Sequence, residues 1–63
     1  MDRLLTTEEV AEMLPFTPGT LRWMRHAKTG PKSFKLGGRK VVYRESDVLA
    51  WVEEQAASSE APA

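Results

Sequence analysis

The chain has 63 residues and no cysteine, and its nine basic side chains balance nine acidic ones. Because a chain of this length buries only about 60% of its unfolded surface, it has room for one domain with one core. A disulfide framework and a thiolate metal site are excluded. An enzyme is not expected, because small-molecule pockets usually take roughly 300 Å³ or more.

The charges are segregated along the chain. Every acidic residue precedes position 15 or follows position 44, whereas positions 15–44 carry eight Lys or Arg residues and no acid. This block predicts one basic face that attracts polyanions, although a solvated lysine-rich surface would have the same composition.

The N-terminal residues lack the apolar segment of a signal peptide, and no apolar run approaches the roughly 18 residues needed to cross a bilayer. The sequence therefore predicts a cytoplasmic protein without a membrane partner.

The first predicted helix begins after Thr6. Thr6 and Glu9 have the spacing of a capping box, and Leu5 and Val10 have that of a hydrophobic staple. Pro15 ends the helix after about two turns. The predicted apolar stripe comprises Val10, Met13 and Leu14.

A second helix is predicted to follow after a very short link. Thr17 is a capping hydroxyl and Pro18 occupies the first helical position, where its missing N–H costs nothing. The helix is predicted at about Thr17–Ala27, and Thr29-Gly30-Pro31 ends it. Its apolar side comprises Phe16, Leu21 and Met24, and its outward side comprises Gly19, Arg22, Trp23 and His26. Two short helices joined in this way form a helix-turn-helix unit.

From Ser33 the apolar period changes to two, and residues 34–36 and 41–43 flank Gly37-Gly38, which predicts a β-hairpin. Glu45-Ser46-Asp47 then begins a last helix. Its buried side is predicted to comprise Val48, Leu49, Trp51 and Val52. The predicted fold is mainly α with a small β-hairpin, a winged helix-turn-helix of order α-α-β-β-α, with a domain at 1–57 and a disordered tail at 58–63.

The second helix is the candidate reader of the DNA major groove, which admits one helix and presents acceptors that arginine can bridge. Its candidate contact residues are Thr17, Gly19, Thr20, Arg22, Trp23, Arg25 and His26. Arg22 is the first choice for a base contact, and Thr17 and Thr20 are candidates for phosphate. Arg25 is expected to cover apolar surface with its stem and to present its head to phosphate.

Several of these residues have a second interpretation. Gly19 either lets the backbone approach the duplex or simply begins the helix loosely. Trp23 either packs against the hairpin or contacts a sugar or a thymine methyl. His26 has no companion ligand for a metal, so a phosphate or solvent contact is expected.

The hairpin tip is the candidate wing. Arg39 and Lys40 follow the two glycines, and Lys35 lies nearby. An arginine on a narrow ribbon can enter the minor groove, where negative potential is concentrated. Lys28, Lys32 and Arg44 are further candidates for phosphate contacts.

Four segments carry a family resemblance. They are Leu5–Leu14, Thr20–Arg22, Phe34–Arg39 and Val42–Trp51. With them, the chain from about Leu4 to Glu54 resembles the excisionase family of small winged-helix DNA-binding domains, which is related to the DNA-binding domains of MerR-type regulators. The stretch from Tyr43 to Trp51 is the most specific part.

The resemblance implies a phage-type recombination directionality factor that acts in a bacterial host cell. Such a protein binds tandem DNA sites beside an attachment site, bends the duplex and directs an integrase toward excision, without a cofactor or small-molecule ligand. Side-by-side association of copies on DNA is a further expectation. Pro18 and Gly19 stand where polar or basic residues are common in the family.

Two other functions remain open. The same family includes transcriptional regulators, for which a single or palindromic operator is expected instead of tandem sites. A module that docks an acidic protein on the basic face belongs to a different class, and salt dependence with a DNA titration separates it. RNA is less favoured because the chain has few aromatic side chains to stack unpaired bases.

Overall fold

The computed structural model describes residues 2–59, which form three helices and a three-stranded antiparallel sheet. The elements in chain order are β1 (Leu4–Thr6), α1 (Thr7–Met13), α2 (Pro18–His26), β2 (Phe34–Leu36), β3 (Lys40–Arg44) and α3 (Glu45–Ser59). The sheet order is β1-β3-β2. The predicted winged helix-turn-helix is confirmed.

Strand β1 was not predicted. It pairs with β3 so that Leu5 lies opposite Tyr43, and both side chains are buried. The strand was missed because three residues are too few to show a period of two. Leu5 also has the spacing of a hydrophobic staple with Val10, which accounted for its apolar character without a strand. The strand exists because β3 has two edges, and the hairpin with β2 covers one of them.

The start of α1 is as predicted. Thr6 N donates to Glu9 Oε1 at 2.8 Å and Glu9 N donates to Thr6 Oγ1 at 3.1 Å, which completes the capping box. The apolar stripe is only partly as predicted, because Val10 is buried whereas Met13 is 43% exposed. Met13 is the last residue of the helix, and the next residue, Leu14, packs against the core instead.

Thr17 caps α2, and Pro18 is its first residue, as predicted. The helix ends at His26 with Ala27 as its C-cap, which agrees with the predicted range of about Thr17–Ala27 and precedes the predicted stop signal at Thr29-Gly30-Pro31. Thr29 N donates to Met24 O at 2.8 Å and Lys28 N donates to Arg25 O at 3.2 Å, which is the Schellman arrangement. Lys28 occupies its left-handed position, with φ 61°, where glycine is usual.

The core lies between the sheet and the helices. Its fully buried cluster comprises Leu5, Val10, Leu21, Tyr43 and Val48. The prediction for α3 is wrong at Leu49, which is 51% exposed, because α3 presents a narrower apolar stripe to the core. Trp51 is half-buried, with its ring centroid 6.2 Å from that of Phe16 in an edge-on arrangement.

The first turn of α3 is capped from the other end of the described chain. The Asp2 carboxylate accepts from Ser46 N at 3.1 Å and from Ser46 Oγ at 2.6 Å, and Glu45 N donates to Arg3 O at 2.8 Å. The helix continues to Ser59, so the prediction of a disordered tail at 58–63 is wrong at Ser58 and Ser59, which are helical. Residues 60–63 lie outside the described part of the chain.

Candidate nucleic-acid interface

The outward face of α2 is exposed along its length. Leu21 is fully buried and holds the helix against the core, whereas Arg22, Trp23 and His26 are exposed. Trp23 is 65% exposed, so it does not pack against the hairpin as one interpretation of the sequence would have it. The helix thus presents an arginine, an indole and an imidazole that its own packing does not use.

The first turn of α2 is organised around two hydroxyl groups. Thr17 Oγ1 accepts from Thr20 N at 3.1 Å, and the two hydroxyl oxygens lie 3.0 Å apart. One hydroxyl hydrogen is used between them, so one hydrogen remains for an external acceptor such as a phosphate oxygen. At Gly19 an added Cβ would lie 3.8 Å from Thr17 Oγ1, which is ordinary contact, so packing does not require a glycine there.

Arg25 differs from its prediction. Its Nη1 donates to Tyr43 Oη at 2.9 Å and to Thr7 Oγ1 at 3.2 Å, and its guanidinium carbon lies 6.0 Å from the Tyr43 ring centroid. The head of the side chain is therefore turned toward α1 and the sheet instead of outward, because the Tyr43 hydroxyl needs a partner.

The wing is a three-residue turn between Leu36 and Lys40. Gly37 and Gly38 have φ values of 66° and 79°, which other residues adopt only with strain, so glycine is needed to close this hairpin. The predicted wing cations are all exposed, namely Lys35, Arg39 and Lys40.

The predicted phosphate-contacting residues differ in their surroundings. Lys28 and Lys32 are exposed in the loop that follows α2. Arg44 also has an exposed head, but its guanidinium carbon lies 5.0 Å from the Phe34 ring centroid and its Nη1 lies 3.8 Å from Asp47 Oδ2. The charge of Arg44 is thus partly compensated, which makes it a weaker ligand for phosphate than the two lysines.

Two carboxyl groups away from this face have shifted pKa values. Hydrogen bonds from the Ser46 hydroxyl and backbone N–H lower the pKa of Asp2, and the backbone N–H of Thr6 lowers that of Glu9. Both carboxylates cap helix starts. They are structural, and both lie outside the acid-free segment 15–44 that contains α2 and the wing.

Two residues near this face were missed by sequence reasoning, namely Thr7 and Tyr43, the partners of Arg25. A tyrosine in the middle of an apolar strand is the signal that could have found them, because a buried hydroxyl requires a hydrogen-bond partner. Within residues 2–59, no group of three His, Cys, Asp or Glu residues could hold a metal ion, and no helix is long and apolar enough to cross a membrane.

A family described as "Helix-turn-helix domain" matches residues 4–56, which is most of the chain. The chain belongs to this helix-turn-helix domain family. The family is one of small DNA-binding domains and is typically non-enzymatic. Neither the curated proteins nor the solved structures provide a significant match to this helix-turn-helix domain.

Proposed function

We propose that this helix-turn-helix domain binds duplex DNA sequence-specifically, with α2 in the major groove and the hairpin tip in an adjacent groove. The observation that carries the proposal is the exposed face of α2, where Arg22, Trp23 and His26 project from a helix fixed to the core by Leu21. A helix fits the major groove, and an arginine can bridge the two acceptors of guanine.

The distribution of charge supports the same orientation. The segment from Pro15 to Arg44 carries no acidic residue, whereas α1 and α3 are acidic. Phosphates are therefore attracted to the side that holds α2, the loop after it and the wing. Lys28 and Lys32 serve as phosphate contacts beside α2, and Arg39 and Lys40 serve as contacts at the wing.

Within DNA binding, the more specific proposal is an excisionase. It rests on the resemblance of the stretch from Tyr43 to Trp51 to that family. In this role the domain binds tandem sites beside an attachment site in a bacterial cell, bends the duplex, associates side by side and directs an integrase toward excision. A transcriptional regulator would use the same face on a different arrangement of sites.

Footprinting on DNA from the source genome, including any integrase attachment site, tests both levels of the proposal at near-physiological salt. Several evenly spaced protections beside an attachment site support the excisionase. One protected operator over a promoter supports the regulator and leaves the DNA-binding face in place. Absence of any protection, together with binding to an acidic protein, would refute DNA binding.

Substitutions at two arginines test the assignment of helix and wing. Arg22→Ala should weaken binding to the preferred site by roughly 1–3 kcal/mol and relax sequence preference, because a base contact is lost. Arg39→Ala should weaken preferred and scrambled sites alike, because the wing cation contacts backbone. Titration of both DNAs measures this, and unchanged affinity in both variants would rule out this face.

A further inference from the structure

We infer that Arg25 is a positioning residue that fixes α2 relative to the wing, and that it does not itself contact DNA. The inference rests on the proposed function and deepens it. Two of the five guanidinium hydrogens of Arg25, both on Nη1, are donated inside the protein, to Tyr43 Oη at 2.9 Å and to Thr7 Oγ1 at 3.2 Å.

These bonds are anchored in the core. Tyr43 is fully buried, and its hydroxyl is a polar group in an otherwise apolar cluster. A buried hydroxyl without a hydrogen-bond partner lowers the stability of the fold. The bond to Arg25 is therefore expected to persist, because it is itself partly buried. The guanidinium of Arg25 is therefore held by the same residue that fills the centre of the fold.

The bonds join the three elements whose relative position matters for reading DNA. Arg25 lies in the last turn of α2, and Thr7 is the first residue of α1. Tyr43 lies in β3, which begins at Lys40 beside the wing tip. A helix and a hairpin that enter adjacent grooves must keep a constant separation and angle. The Arg25 guanidinium joins strand β3 of the hairpin to the last turn of α2.

Because Arg25 is charged, the salt dependence of DNA binding can distinguish a phosphate contact from a positioning residue. In residues 2–59 the two ion pairs join Arg3 to Glu9 and Arg44 to Asp47, and neither involves Arg25. Each phosphate contact that is lost reduces the slope of log affinity against log salt by about 0.9. A positioning residue instead weakens binding without changing that slope.

Two substitutions remove the bridge in different ways. Tyr43→Phe removes the acceptor, keeps the ring in the core and leaves the charge on Arg25, whereas Arg25→Met keeps an apolar stem and removes the charge. Thermal melts establish whether each variant is folded. If Arg25→Met does not fold, the DNA affinity of Tyr43→Phe tests the inference by itself. Lys28→Met, which removes an exposed cation just beyond the same helix, is the matched control for a phosphate contact.

We expect Tyr43→Phe, which loses one hydrogen bond, to bind the preferred DNA roughly two- to tenfold more weakly than the wild type. Arg25→Met loses two hydrogen bonds and should bind at least as weakly as Tyr43→Phe, and the salt slope should be unchanged in both variants. Lys28→Met should lower the slope by about 0.9. The loss of DNA affinity caused by Arg39→Ala should be smaller in the Tyr43→Phe background than in the wild type, because the wing is then no longer held against α2.

Other results overturn the inference. A slope reduced by about 0.9 in Arg25→Met, with Tyr43→Phe binding like the wild type, would make Arg25 a phosphate contact. Wild-type affinity in both variants, or an equal cost of Arg39→Ala in both backgrounds, would also refute positioning. If the wild type itself does not bind DNA, the proposed function fails instead, so the two failures are distinguishable.

Discussion

Trp23 is the exposed side chain that is hardest to explain by folding alone. It leaves 65% of its surface in contact with solvent, although Leu21 on the same helix is fully buried. Solvent-exposed aromatic surface on a helix beside Arg22 and His26 is suited to sugar or to a thymine methyl group. Because the indole does not pack against the hairpin, we propose that it contacts DNA.

Trp23→Ala should leave the melting temperature nearly unchanged, because exposed positions usually contribute within about 0.5 kcal/mol. Its DNA affinity should fall, because contact surface is lost. Leu49→Ala is the matched control, since Leu49 is also half-exposed but lies on α3. Thermal melts and DNA titrations of both variants measure this, and equal losses of affinity would contradict the assignment.

Lys28 combines a strained backbone with an exposed cation. Its φ of 61° is the left-handed conformation, which costs roughly 1–2 kcal/mol in residues other than glycine. Strain of this kind is retained most often where a side chain has a role. We interpret the lysine as kept for its charge at the end of α2.

Lys28→Gly should raise the free energy of unfolding by up to about 1 kcal/mol, because the strain is relieved although glycine also loses more entropy on folding. The same variant should bind DNA more weakly, with a lower salt slope. Denaturant unfolding and salt-dependent titration test the two effects. A stabilised variant with unchanged DNA binding would mean that the charge has no role there.

At the scale of elements, the first turn of α3 depends on a residue that is distant in sequence. Asp2 accepts two hydrogen bonds from Ser46, and these bonds lower its pKa from 3.8. Because the folded-state pKa is below that of the unfolded chain, the carboxylate stabilises the fold above about pH 4. That contribution is lost as the pH falls through the folded-state pKa.

Asp2→Asn should therefore melt at a lower temperature than the wild type at pH 7. The difference should shrink as the pH falls below the folded-state pKa of Asp2, because the wild-type carboxyl group is then uncharged like the amide of the variant. Melting curves of the wild type and Asp2→Asn from pH 7 to acidic pH measure the effect. The low-pH curve of each protein is the control for its curve at pH 7. A constant difference at every pH would contradict a role for the charge.

The sequence anticipates elements best where the interactions are local. The capping box of Thr6 and Glu9 and the cap of Thr17 involve residues three positions apart, and all are as predicted. Strand β1 and the bonds of Arg25 were missed, because their partners are distant along the chain. The end of α2 near Ala27 was anticipated, but the left-handed conformation of Lys28 just beyond it was not, because a lysine carries no local signal for that conformation.

At the scale of the whole molecule, stability depends on a small core. A 63-residue domain typically has about 3–9 kcal/mol of stability, and one buried leucine replaced by alanine costs about 2–5 kcal/mol. In the part of the chain that the structure describes, the fully buried core cluster has five members, and Leu21 is the member that α2 contributes. A single core substitution can therefore unfold much of the population.

Leu21→Ala should unfold most of the protein at ambient temperature. Trp51→Ala should remain cooperatively folded, although the sequence alone predicts Trp51 as a core residue, because the indole is half-buried and packs edge-on against Phe16. Circular dichroism melts compare the two variants. A Trp51→Ala chain that is unfolded and a Leu21→Ala chain that is folded would reverse this ranking of the core.

By itself, the sequence determined the helix starts, the glycine turn of the wing, the order of the three helices and the hairpin, and the segregation of charge, because these depend on neighbouring residues or on residue type alone. Only the tertiary structure decided that Met13 and Leu49 are exposed, that Arg25 turns toward Tyr43 and that Asp2 caps α3. Each of those outcomes depends on which distant residues meet when the chain packs, and short-range patterns carry no information about that.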